Sequence, residues 1–109
     1  MINSIKKGKR GELEFRDVLR RHGFVAERGQ QRRGGPDSPD VQCEELPMHF
    51  EVKLVDRLDL RGAYAQACND CGSGRTPVVA HRCTRGEWMI TLSAEDFLRL
   101  AYELYHQTF

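Results

Sequence analysis

Apolar positions along the chain switch period several times, and each switch marks an element. Over residues 8–22, Leu13, Phe15, Val18 and Leu19 recur near a spacing of 3.6 and predict a helix that Gly23 closes. Residues 24–28 predict a short strand, residues 40–44 a second and residues 48–55 a third. In the third, Phe50, Val52 and Leu54 take one face, and Glu51, Lys53 and Val55 the other. The tight Glu45-Leu46-Pro47 turn predicts antiparallel pairing of the second and third strands. Residues 61–71 predict an Ala-rich helix stopped by Gly72-Ser73-Gly74. Strands follow at 77–82 and 87–92, the latter carrying the single tryptophan, Trp88. Ser93 then reads as the cap of a last helix with acids in its first turn and Phe97, Leu98, Ala101, Leu104 and Tyr105 on its apolar face. Leu104 and at least one of its tyrosines are expected in the core, and this helix also offers a surface for pairing two chains. The order α-β-β-β-α-β-β-α predicts an α/β fold, a central mixed sheet flanked by helices.

The chain has 109 residues, enough for one domain with one core (1–109). No apolar run approaches the eighteen or so residues a membrane helix needs. The opening residues lack the apolar stretch of a signal peptide, so a cytoplasmic protein is expected. Net charge is only +1, but residues 1–33 hold ten Lys or Arg against four Asp or Glu, and residues 34–60 hold two against seven. A basic segment suits phosphate and an acidic one suits a cation. Cys68 and Cys71 form a CxxC, with Cys83 downstream and Cys43 or His81 as the nearest fourth ligand. That set lacks the second tight pair of a strong zinc framework, so structural zinc is not the expectation.

Candidate chemistry centres on Pro39-Asp40 and Glu51-Val52-Lys53. Antiparallel pairing brings the start of the second strand to the later part of the third, so Asp40 should meet Glu51 and Lys53. Two carboxylates and the Val52 carbonyl are hard oxygen donors of the kind Mg²⁺ takes. Lys53 can position or help deprotonate an attacking water and stabilise developing negative charge. Glu12, on the first helix, is a third acid that can reach the same point directly or through water. The loop at residues 29–39 holds three glycines and two prolines, which forbid regular structure there. Its Gln30 and Gln31 lie beside Arg32 and Arg33.

This order of parts resembles the PD-(D/E)XK nuclease superfamily, with its restriction-endonuclease-like α-β-β-β-α-β core, here with an extra strand and a C-terminal helix. Nearest are the small Holliday-junction-resolvase-like nucleases of phage and archaeal type. The resemblance rests on Lys9-Arg10-Gly11-Glu12, Gly23-Phe24, Asp40, Glu51-Val52-Lys53 and Pro77-Val78-Val79-Ala80, and spans most of residues 6–92. It implies Asp40 and Glu51 as ligands of Mg²⁺ or Mn²⁺, Lys53 as the catalytic lysine and Glu12 as the helical acid. Gln66 falls where several relatives carry a glutamine near the site, but Asp70 replaces the tyrosine they often place one turn later. The implied function is metal-dependent endonucleolytic cleavage of DNA, branched DNA included. With that function the resemblance implies a contact of Gln30 and Gln31, beside Arg32 and Arg33, to DNA or the scissile phosphate. Symmetric cutting of a junction implies a homodimer.

Two other readings stand beside it. One is a nicking or repair nuclease on duplex or flap DNA, since the fold does not fix the substrate. The other is a nucleic-acid-binding module that kept the fold without the chemistry.

Overall fold

The computed structural model describes residues 4–29 and 39–107. The elements run α1 (Ser4–Arg21), β1 (Glu27–Arg28), β2 (Val41–Gln42), β3 (Met48–Leu54), α2 (Leu60–Asp70), β4 (Thr76–Arg82), β5 (Met89–Thr91) and α3 (Ala94–Tyr105). Their order is the one the periodicity predicts. The five strands lie side by side in chain order. The β1–β2, β2–β3 and β4–β5 pairs are antiparallel, while β3 and β4 are parallel over seven register positions. A parallel pair needs a long return, and α2 supplies it.

β3 is buried along most of its length because both its faces are covered. On one face Phe50 and Val52 join Val78 and Ala80 of β4 against Phe15 and Leu19 of α1. Phe15 packs on both Phe50 and Trp88, with ring centroids 5.2 and 5.3 Å apart. On the other face Val79 packs with Ala63 and Ala67 of α2, and Glu51 is its register partner. The acid of β3 therefore points into the α2 layer. Phe50→Ala should destabilise the fold by about 3–5 kcal/mol, read by urea unfolding, because the emptied volume lies against Phe15 and cannot collapse.

The caps follow local chemistry. Ser93 Oγ accepts from the Asp96 amide at 3.0 Å, as expected. Asp59 Oδ1 does the same for Gly62 at 3.0 Å, so α2 starts one residue before the position the apolar pattern suggests.

Several expectations are corrected. β1 and β2 have two residues each instead of five, because only Glu27↔Gln42 and Arg28↔Val41 pair between them. Val25 turns outward at 73% exposure, and Asp40 sits in a bend outside β2. β5 is shorter than residues 87–92. The starkest difference is α3, which buries none of its residues. Leu104, Tyr102 and Tyr105, of which the leucine and at least one ring were expected in the core, are 71%, 66% and 84% exposed. The α1 and α2 layers already close the two clusters of the core, so α3 is left at the rim. Among the described residues no helix is long and apolar enough to cross a membrane.

Candidate functional site

Asp40 is fixed by three hydrogen bonds that all follow from its place in the bend. Its amide donates to the Phe50 carbonyl at 2.9 Å, and its carbonyl accepts from the Gly29 amide at 2.8 Å. Its Oδ2 accepts from the Val52 amide at 2.8 Å. The carboxylate thus takes the place of a ladder carbonyl beyond the end of β2. In a strand the N–H and C=O of one residue point to the same side, so the Val52 carbonyl faces the same edge. The predicted meeting of Asp40 with the later part of β3 is what the structure contains.

Gly29 makes this approach possible. A Cβ there would run into the Pro39 carbonyl oxygen, a backbone atom that cannot swing away. Gly29→Ala should therefore displace Asp40. The expected result is a protein that keeps its far-UV circular dichroism but loses the Val52 amide's protection from hydrogen exchange. Unchanged protection would remove the role given to Gly29.

Glu51 is 5% exposed and stands against Asp40. Burial pushes its carboxyl up to about 8; the hydrogen bond with Asp40 and the Asp40 charge add to the rise, and Lys53 opposes it. Lys53, two residues on, is half-buried. Glu12 is 7% exposed, and a close approach of α1 to β3 brings it here: a Cβ at the preceding Gly11 would sit 3.0 Å from the Leu54 Cβ. Burial also raises the Glu12 carboxyl above its ordinary value, against a hydrogen bond from Arg28; Asp40 raises it further, and Lys53 lowers it. Asp40 and Lys53 are thus within electrostatic reach of both Glu51 and Glu12.

Arg28 is the residue sequence reasoning missed. Its Nε donates to Glu12 Oε1 at 2.7 Å. A signal existed: an acid on the apolar side of a helix needs a cation, and Arg28 ends the strand that enters the loop. The structure also gives Glu12 a defined partner, where the sequence offered only a reach toward a metal. Moreover Glu12 is in the body of α1, since the helix begins at Ser4, so a first-turn preference for acids does not account for it.

The remaining predicted residues are less tightly drawn in. Gln66 is exposed on α2, and it is Asp70, one turn later, whose charge bears on Glu51. Lys9 and Arg10 are exposed on α1. Arg10 is paired with Glu14 at 3.0 Å, and Glu14 also takes Arg82 at 2.7 Å. Gln30, Gln31, Arg32 and Arg33 lie outside the described residues. Cys43 is in the core on the α1 side, Cys68 is exposed on α2, Cys71 follows α2, and Cys83 is exposed after β4. His81 Nε2 lies 2.9 Å from Thr91 Oγ1. Among the described residues no three His, Cys, Asp or Glu side chains are grouped to share one metal ion.

The donor set at the sheet edge is therefore two carboxylates and one main-chain carbonyl, all oxygen. Two acids in contact, one of them holding a proton near neutral pH, form a pair that a divalent cation would discharge. That chemistry fits Mg²⁺ or Mn²⁺, which take few protein ligands and keep several waters. No family model, curated protein or solved structure matches this chain.

Proposed function

We propose that the chain is a Mg²⁺- or Mn²⁺-dependent endodeoxyribonuclease of the PD-(D/E)XK kind, acting as a homodimer on branched DNA such as Holliday junctions. Its place of action is the cytoplasm, that of the host if the chain is phage-encoded. The observation that carries this reading is Asp40 clamped by the Val52 amide against Glu51, with Lys53 next on the same strand face.

Asp40, Glu51 and the Val52 carbonyl would hold the cation, which supplies charge neutralisation on the phosphate and a polarised nucleophile. Lys53 orients the attacking water and balances the negative charge that grows on the phosphate oxygens. Arg28, paired with Glu12, presents a fixed guanidinium beside that third acid. The Asp40–Val52 bond keeps the carboxylate in register with β3, so little reorganisation is left for the reaction.

The test is cleavage of labelled four-way junction, flap and linear duplex DNA, with Mg²⁺ or Mn²⁺ and with chelator. Symmetric cutting of the junction supports the resolvase. Cutting of duplex or flap alone keeps the enzyme and changes the substrate. Binding to DNA with no metal-dependent cut of any substrate overturns the proposal in favour of a binding module.

A further inference from the structure

We infer that α3 is a self-docking surface through which two copies of this chain associate, the two helices antiparallel about Ala101. The helix is amphipathic, but its apolar side is turned away from the body. Phe97, Leu98, Tyr102, Leu104 and Tyr105 are 57%, 62%, 66%, 71% and 84% exposed. The opposite side faces inward: Arg99 Nη2 donates to Thr76 Oγ1 at 2.7 Å, and Asp96 and Leu100 are half-buried. At about 200 Å² per aromatic side chain, the bare fractions of the three rings alone come to roughly 400 Å². With the two leucines the patch reaches about 600 Å², the upper end of what a lone monomer leaves uncovered. An apolar hollow of about 300 Å³, lined by Leu60, Tyr64, Leu92 and Ser93 among others, lies near the start of α3. A stable pair needs about 800 Å² from each partner, of which the patch alone supplies about three quarters.

The pattern within α3 selects a second copy as the occupant. Reading outward from Ala101, Leu98 matches Leu104 and Phe97 matches Tyr105. A two-fold axis at Ala101 therefore sets large apolar groups against large apolar groups, with the smallest side chain where the helices cross. Such a self-matching patch is what an isologous contact requires, and a small central residue permits an axis separation near the ~8 Å lower limit. Asp96, Arg99 and Glu103 lie on the other side of the helix, and Glu95, on the stripe of Leu98 and Tyr102, falls opposite the uncharged Gln107 of the second copy, so pairing brings no like charges together. Three acids against one arginine along α3 also disfavour an anionic lipid surface or DNA as the partner. This surface is drawn from α3 alone and stands whether or not the chain cuts DNA.

Sedimentation equilibrium of the full chain reads the association directly. The wild type should be a dimer at micromolar concentration. Leu98→Glu with Tyr105→Glu should weaken association at least about 100-fold, since each buries a charge at the centre of the contact. Both positions are exposed, so the double variant should keep the wild-type circular dichroism and melting temperature. Under mild oxidation Ala101→Cys should give a covalent dimer above the wild-type background, and Glu103→Cys, on the far side, should not. A wild type that is monomeric at high concentration overturns the inference. So does a dimer that survives the double substitution, or one that fails to cross-link at position 101.

Discussion

Glu51→Gln is expected to make the metal-free protein more stable at pH 8, by about 2–4 kcal/mol. The Glu51 carboxyl sits at about 8 in the folded chain against 4.5 for the ordinary group, chiefly because it is buried and secondly because Asp40 is against it. Between those two pH values the folded chain holds a proton that the unfolded chain has released. Stability contributed by this group is therefore fully present below pH 4.5 and is lost as pH rises toward 8, at up to about 1.4 kcal/mol per unit. Above 8 the group is ionised in both states and the slope vanishes. Glutamine carries no charge and can still donate to Asp40, so the variant should show no such slope. Urea unfolding at pH 5.5 and pH 8 in chelator measures it. Parallel losses of stability in wild type and variant would show that Glu51 is not the group responsible. In the proposed enzyme, Mg²⁺ should recover the wild type's stability at pH 8 by displacing that proton, and should do nothing for Glu51→Gln.

Lys53→Ala and Asp40→Asn should each lower DNA cleavage by at least about 10²–10³-fold while leaving the fold in place. The two variants are expected to differ in a second readout. Asp40→Asn removes a charged donor, so it should lose the stabilisation by Mg²⁺ as well as the cutting. Lys53→Ala keeps both carboxylates and should keep the Mg²⁺ response. On the proposed mechanism it loses only the ammonium that would balance charge at the phosphate. Asp40→Asn also retains an oxygen for the Val52 amide, so a loss of cutting there cannot be assigned to a collapsed sheet edge. A Lys53→Ala protein that cuts at the wild-type rate would remove lysine from the mechanism. A Lys53→Ala protein that loses its response to Mg²⁺ would move Lys53 from chemistry to the architecture of the cation site.

Much of this arrangement is legible in the order of residues, for identifiable reasons. The seven-residue strand β3 and the short turn before it determine that Asp40 meets the later part of β3, because antiparallel pairing leaves no other partner for the start of β2. The helices are legible because their apolar spacing and caps agree. Other parts depend on contacts far apart in sequence. Glu12 and Arg28 are sixteen residues apart, and nothing local says that a helical acid will be buried against a strand arginine. The short β1 and β2 look like longer strands because Phe24-Val25-Ala26 and Cys43 are apolar but find no ladder partner. The outward face of α3 has the same cause in reverse. Its pattern says that it should bury an apolar side, but not whether the surface it buries against is its own chain's.

The Val52 amide has one more use. Most sheet amides donate to a carbonyl whose charge never changes, whereas this one donates to a carboxylate. A hydrogen bond to an ionised acceptor is shorter and stronger than one to a neutral acceptor. The amide proton resonance of Val52 is therefore a built-in reporter on the Asp40 oxygen. It should move when Glu51, which stands against Asp40, gains or loses its proton, and move again when a cation arrives. Occupancy of the site can then be followed by NMR one backbone atom at a time, with no DNA and no turnover.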